Sequence, residues 1–330
     1  MVLTWIQTLV LALLQGVTEL FPISSLGHTV IIPGLLGWTA LVQSPTFLPI
    51  VVAFHLGTSI ALVLYFWRDW LQVGKTLVKS VKEGEVRQGE ETWISWLIII
   101  GSIPAGILGV ALEDKLKELF ATPLIAASFL VVNGSLLFLG EALRRRAMQN
   151  SVPTYAAAAQ QQSLAPQAWQ RMESAGGGIA VKSRTVAPLA FAPSSGKSRS
   201  LLSLSWKDAL LVGLAQSLAL LPGISRSGAT MVASLSIGLS HEDAAHFSFL
   251  LGTPLIAAAA LLEIPQLAGA TGSTIVLVIV GMILSGLAAY LSTKFLMRYF
   301  ETGKLNPFAY YCWAMGGIAL ILFFMGVGTH

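Results

Sequence analysis

The sequence predicts an all-α integral membrane protein with six transmembrane helices plus two re-entrant helix–loop–helix hairpins in an inverted-topology repeat. Three observations carry this. Of 330 residues, 55% are apolar and only 11% are charged, against about 25% charged in an ordinary soluble domain. Apolar runs of spanning length recur along the chain. Two further apolar regions are broken near their middles by Pro, Ser and Gly at matching places. This composition excludes a typical cytosolic enzyme. The net charge of +4 gives no reason to propose a nucleic-acid partner. The single cysteine, Cys312, excludes a disulfide framework or a thiolate metal cluster.

In chain order, the first broken region covers 3–37 and contains Phe21-Pro22-Ile23-Ser24-Ser25-Leu26-Gly27-His28. No basic stretch precedes it and it carries Glu19, so it makes a poor signal peptide and is expected to stay attached. Spans are predicted at 50–67, 93–112 and 122–140. The second broken region, 208–239, holds Leu221-Pro222-Gly223-Ile224-Ser225-Arg226-Ser227-Gly228. Spans follow at 244–263, 274–292 and 307–326. Broken backbone at membrane depth is tolerated only when buried in protein or lining a wet cavity, which is why both regions read as hairpins. Residues 147–203, with an Ala-Gln run and Gly176-Gly177-Gly178, read as a flexible linker. The organisation is then a first membrane repeat (1–146), a linker (147–203) and a second repeat (204–330).

Basic residues set the orientation. Five lie in 68–92, nine in 141–207 and three in 293–305, so these stretches are expected on the cytoplasmic side. Loops 38–49, 113–121 and 264–273 then face out, as do both termini. The repeat supports the layout. Gln15 and Gln216 are followed at equal spacing by Ser24 and Ser225, and by Gly27 and Gly228; Phe54-His55-Leu56-Gly57-Thr58 echoes Phe249-Leu250-Leu251-Gly252-Thr253. Three crossings per half invert the second half, which puts a site at the repeat interface.

Four polar residues stand out because ionisable groups at membrane depth are costly and mark function by default: Glu19, His28, His55 and Arg226. Gln15 and Glu19 share a helix face. The first break adds two hydroxyls, a glycine and an imidazole. The second sets one guanidinium among Ser225, Ser227, Gly228 and Thr230, just before a new helix, which suits a phosphate group. Each piece alone is modest, since a Ser-rich break is often a hinge and a buried Gln is often interhelical glue. Together they offer an acid or base, a hydroxyl nucleophile, an imidazole and an anion clamp, the set for phosphoryl transfer or phosphate-ester hydrolysis.

Both blocks resemble the undecaprenyl-diphosphate phosphatase family, membrane enzymes linked to bacitracin resistance. The family's first motif corresponds to Gln15, Glu19 and Pro22–His28, and its second to Pro222–Thr230. The resemblance implies hydrolysis of a C55 polyprenyl diphosphate to the monophosphate and inorganic phosphate. That reaction recycles the carrier for cell-wall peptidoglycan synthesis. It implies a divalent cation (Mg²⁺ or Ca²⁺), with Glu19 binding metal or activating water, aided by Gln15. Ser25 would be the candidate nucleophile and His28 a general acid or base, or itself the nucleophile. Arg226 would hold the diphosphate, with Ser24, Gly27, Ser225, Ser227, Gly228 and Thr230 around the phosphates. The setting implied is the bacterial inner membrane, with the site towards the outer face, a polyprenyl diphosphate lipid and the bilayer as partners, and a homodimer as an open option. Gln15 stands where many relatives carry Glu, which weakens a two-carboxylate metal site. His55 stands where Gln is common, and reads as an amide substitute rather than a second proton carrier. A lipid-phosphate or anion transporter uses similar inverted repeats, but it does not need the Ser-Ser…His cluster.

Overall fold

The computed structural model describes residues 3–84, 86, 91–112, 115–116, 119, 122–163 and 198–328, without the side chains of 39, 91 and 148–163. Its helices are α1 (Trp5–Thr18), α2 (Ser25–Leu35), α3 (Thr39–Val42), α4 (Phe47–Tyr65), α5 (Trp67–Glu83), α6 (Glu91–Ala111), α7 (Pro123–Ser163), α8 (Trp206–Ser217), α9 (Arg226–Ser236), α10 (His241–Glu263), α11 (Gly272–Phe300) and α12 (Asn306–Phe324). Among the described residues there is no strand, only an isolated bridge between Arg199 and Leu239. Six helical stretches are long and apolar enough to cross a bilayer: Phe47–Tyr65, Thr92–Ala111, Pro123–Ala147, His241–Leu267, Gly272–Phe300 and Asn306–Phe324. Each covers an expected span, four of them to within a few residues; the third and fifth run 7 and 8 residues further, to Ala147 and Phe300. The protein is an all-α, multi-pass membrane protein.

Two stretches differ from expectation. Part of the basic segment 68–92 is the amphipathic helix α5. Asp69, Val73, Thr76 and Ser80 recur every three or four residues and bury one face. That face is fixed by Asp69 to His246 (3.2 Å), Thr76 to Ser95 (2.7 Å) and Trp96 to Ser80 (3.0 Å). The second difference is that α7 continues to Ser163, well into the segment read as linker. Residues 164–197, including the three glycines, lie outside the described residues. Arg199, read as the linker's end, is anchored: its backbone donates to Gly238 O at 2.9 Å and its guanidinium to Asp208 at 3.0 Å.

Both broken regions form a pair of short helices. Their lengths are 14 and 11 residues for α1 and α2, and 12 and 11 for α8 and α9, against about 20 for a span. Each pair starts with a capping box, Thr4 with Gln7 and Ser205 with Asp208. Each second helix is capped by the serine before it: Ser24 accepts from Gly27 N and Ser225 from Gly228 N. These caps keep the spacing that separates Gln15 from Gln216, so the repeat extends to helix starts.

The halves interlock by exchange. α1 packs on α11 of the second half, and α8 packs on α6 of the first; α4 lies between α11 and α10, and α7 packs against α12 and α9. Small residues permit the closest approaches: a Cβ on Gly57 would strike the Met282 carbonyl, and one on Gly213 would strike Gly101. Phe54, Phe247 and Phe249 fill the interior, while Ile107, Leu261, Ile283, Leu287, Leu291, Ile318 and Phe324 stay exposed. In water such a surface would drive aggregation; in lipid it is what a spanning helix must present.

Candidate functional site

The tips of the two helix pairs meet at the centre of the bundle. Gly27 lies so close to Gly223 that a Cβ there would sit 3.0 Å from the Gly223 Cα. Gly223 itself has φ 102°, a region that favours glycine, and any side chain on it would strike the Ala126 carbonyl. The Ser225 and Ser227 hydroxyls donate to Phe21 O at 3.4 and 3.2 Å, across the junction.

Glu19, just past the end of α1, is the hub. Its Oε2 accepts from the Ser25 hydroxyl at 2.5 Å and from Gln15 Nε2 at 3.0 Å. His55 Nε2, from α4, lies 3.3 Å from the same oxygen. Its Oε1 accepts from Arg226 Nε and Nη2 at 3.4 and 3.2 Å. The Glu19 and Arg226 side chains are only 5% and 10% exposed, so each charge relies on the other at this depth. Arg226 Nη1 is held by the Ser248 carbonyl of α10 at 3.1 Å. It can lie there because residue 252, one turn on, is glycine: a Cβ would overlap the guanidinium. Ser25 owes its direction to Ser24, the only described non-glycine residue with positive φ (φ 70°, ψ 104°). Such a sparsely populated backbone persists only where its surroundings enforce it.

His28 is not part of this hub. Its Nδ1 lies 2.6 Å from Ser24 O and its Nε2 lies 2.9 Å from the Tyr311 hydroxyl. A carbonyl only accepts, so Nδ1 carries the hydrogen and Nε2 accepts from Tyr311. The ring is fully buried and stacks on Tyr311. His55, read as an amide substitute, has Nδ1 2.8 Å from Val51 O. Its contact with Glu19 therefore needs a proton on one of the two groups.

A cavity of about 320 Å³ opens beside the hub. Its deep end is lined by Glu19, Ser24, Ser25, His55, Gln216, Ser225 and Arg226, and its walls by Leu48 and Val52 of α4, Ala105, Gly106, Gly109 and Val110 of α6, and Leu255, Ile256, Leu262 and Glu263 of α10. Val110 and Leu262 line it and are 64% exposed at the lipid-facing surface, so the cavity meets the surface between α6 and α10.

Of the predicted site residues, Glu19, Ser24, Ser25, Ser225 and Arg226 line the cavity, and Gln15 supports it from behind. Gly27, His28, Ser227, Gly228 and Thr230 do not line it. The Thr230 hydroxyl bonds Ser248 at 2.5 Å and ties α9 to α10. Sequence reasoning missed Gly252 and Ser248, which seat the guanidinium, and did not foresee the contact between His55 and Glu19. The Gly57–Gly252 match in the repeat was the available signal.

Among the described residues no group of three His, Cys, Asp or Glu side chains could hold a metal. Glu19 nevertheless borders the cavity, and the buried Gln15 Oε1 has no hydrogen-bond partner. With so few oxygens, any ion here would have to take most of its shell from substrate phosphates and water, as Mg²⁺ commonly does.

The sequence matches known proteins over almost its whole length. Residues 8–318 match the family described as bacitracin resistance protein BacA. The chain is 44% identical to an undecaprenyl-diphosphatase 2 of Frankia alni, covering 97% of this chain and 98% of that one. It is 41% identical to an undecaprenyl-diphosphatase of Mycolicibacterium paratuberculosis, covering 97% of each. It is 40% identical to that of Acidiphilium cryptum, covering 94% and 95%. With a family match running from α1 into α12 and relatives aligned almost end to end, the chain belongs to the BacA bacitracin resistance family.

Proposed function

We propose that this protein hydrolyses undecaprenyl diphosphate to undecaprenyl phosphate and inorganic phosphate, recycling the carrier for peptidoglycan synthesis and so conferring bacitracin resistance. One observation carries the reading: a serine hydroxyl 2.5 Å from a buried carboxylate, with a guanidinium on the other carboxylate oxygen, at the deep end of an apolar cavity. The diphosphate enters this polar end and replaces water around Arg226, while the prenyl chain lies along the α6 and α10 walls. The prenyl chain already lies in lipid, which is as apolar as these walls, so the walls guide the chain by packing and the polar head group supplies the selective contacts.

Ser25 is the nucleophile in this scheme, because both His28 nitrogens are engaged elsewhere. Ser25 Oγ bonds to the terminal phosphorus as the bridging P–O bond breaks, Glu19 takes the hydroxyl proton, and the polyprenyl monophosphate leaves. Water then attacks the phosphoserine, inorganic phosphate leaves, and the proton returns to Ser25. Arg226 offsets charge on the phosphoryl oxygens, the main task in such a displacement. Glu19 and the Gln15 amide oxygen would hold a divalent cation, which when bound supplies further charge neutralisation. Every residue of the scheme comes from one chain, so a homodimer is not required for chemistry.

The cavity runs towards the end of the bundle where α4 starts and α6 and α10 finish. The basic segments lie at the other end, so the positive-inside rule puts the cavity mouth outward in the inner membrane and both helix pairs re-entrant. Re-entrant pairs also account for helices too short to span. The test is phosphate release from a long-chain polyprenyl diphosphate by purified protein, with and without Mg²⁺ or Ca²⁺, alongside Ser25→Ala and Arg226→Ala. Cation-dependent release lost in both variants is expected. No release from folded wild type that still binds substrate would turn the reading to a transporter.

A further inference from the structure

We propose that Asn133, a buried amide within the spanning part of α7, is a positioning residue that sets the nucleophile-bearing tip against the arginine-bearing tip. Its Nδ2 donates to Pro22 O at 2.9 Å, three residues before Ser25. Its Oδ1 accepts from Ser225 N at 2.9 Å, the residue before Arg226. Nδ2 also lies 3.3 Å from Cys312 Sγ of α12. The side chain is fully buried and touches neither the cavity nor Glu19. The other bonds across the junction run directly from one tip to the other. Asn133 alone, among the described residues, holds both tips from a third, long helix, and so fixes their register to the bundle.

The geometry gives each half of the amide a separate task. Pro22 O faces a donor and Ser225 N faces an acceptor. A neutral primary amide satisfies both at once; a carboxylate satisfies only the second, and an alkyl group satisfies neither. The inference rests on the hydrolytic reading for its kinetic consequence, because a displacement of Ser25 relative to Arg226 acts on the reacting geometry while leaving the prenyl wall intact. A misplacement of about 1 Å costs about 10²-fold in rate.

The test compares wild type, Asn133→Leu, Asn133→Asp and Cys312→Ala. In Asn133→Leu, kcat is expected to fall about 10- to 100-fold with KM within about threefold. In Asn133→Asp, burial favours the neutral acid, whose hydroxyl donates to Pro22 O and whose carbonyl accepts from Ser225 N. Its kcat should stand near wild type at pH 6 and fall relative to wild type as the pH is raised to 9. Among the described residues the only titratable group hydrogen-bonded to residue 133 is Cys312, and Cys312→Ala should behave as wild type. Hydrogen exchange reads the link without chemistry: peptides over 21–29 and 222–230 should both exchange faster in Asn133→Leu. Wild-type kcat in folded Asn133→Leu, a loss carried by KM, or an Asn133→Asp defect that does not change with pH would each overturn the proposal. Unchanged exchange at both tips would do so as well. If wild type releases no phosphate, the hydrolytic reading falls, and the exchange data alone decide whether Asn133 joins the tips.

Discussion

Gly252→Ala tests the importance of guanidinium placement without removing a charge. Arg226→Ala is the blunter experiment, because it strands Glu19 in a buried position, and breaking a buried pair in this way costs about 3–5 kcal/mol of stability. In Gly252→Ala both charges remain. The new methyl would lie 2.8 Å from Nη2 and closer still to Cζ and Nη1. The guanidinium cannot retain both its Ser248 carbonyl bond and its Glu19 contacts, and must retreat by on the order of 1 Å. Such a shift in a group that receives phosphate costs about 10²-fold, or about 2.7 kcal/mol of barrier. Overpacking itself should lower stability by about 1–3 kcal/mol. The assay is kcat/KM for phosphate release together with the thermal midpoint. Gly106→Ala is the control: it lines the same cavity, but a Cβ there meets nothing within 4 Å. A folded Gly252→Ala protein with wild-type kcat/KM would refute the claim that this seat fixes Arg226 for catalysis.

Three further outcomes follow from the geometry. His55→Gln keeps a donor for Glu19 and should retain activity within about tenfold, whereas His55→Leu removes it and should lose a further about tenfold or more; equal kcat/KM in the two would show that this contact is idle. Asp208, outside the spans, has its carboxyl pushed up by burial, but the Ser205 N–H and hydroxyl and Arg199 outweigh that and hold it below the usual carboxylate range. A depressed folded value gives stability that is present above the unfolded pKa and lost as pH falls through the folded one, so the midpoint advantage of wild type over Asp208→Asn should shrink below about pH 4; a constant gap would contradict this. Glu141 accepts from His241 Nε2 and from Leu305 N, both at 2.7 Å, so Glu141→Leu should cost about 1–3 kcal/mol in denaturant unfolding while kcat stays unchanged, and an intact midpoint would remove the link's structural role.

Helix positions were legible because their causes are local. Apolar runs of spanning length, a Pro-Ser-Gly break and a capping serine each leave a signal within a few residues. Glu19, Ser25 and Arg226 were legible because ionisable groups in apolar stretches are costly. Side-chain direction was not. Ser25 and His28 lie three residues apart on α2, yet one meets Glu19 and the other folds back onto Ser24 O and Tyr311. That difference is decided by the unusual Ser24 backbone and by a tyrosine far along the chain. Asn133 was illegible for a similar reason. Its partners, Pro22 and Ser225, lie about a hundred residues away on either side, and nothing around it differs from any polar residue in a membrane helix. The extension of α7 to Ser163 was overlooked although Ala and Gln are good helix formers, because the stretch has no apolar periodicity to mark a packed face.

The repeat explains how one carboxylate comes to serve both tips. At the spacing that pairs Gln15 with Gln216, Ser25 pairs with Arg226 and Glu19 pairs with Leu220. Ser25 and Arg226 are thus equivalent positions, the first residue of α2 and of α9, each just after a capping serine. Bringing the tips together aims both side chains into one cavity. Had the halves stayed alike, two serines would have faced two acids with no cation, or two arginines would have repelled each other. Here the acid was kept on one side only, and Leu220 lines the cavity as part of its apolar lining. Glu19 then offers one oxygen to each tip, to the hydroxyl it can deprotonate and to the guanidinium that can balance phosphate. The backbone departs from symmetry at the same place: Ser24 has φ 70° where its counterpart Ser225 has φ −83°. A transport site that alternates between two faces gains from keeping its halves equivalent. A site that joins a nucleophile to its acceptor gains from making them different, and the difference is concentrated at the residues that would touch the phosphate.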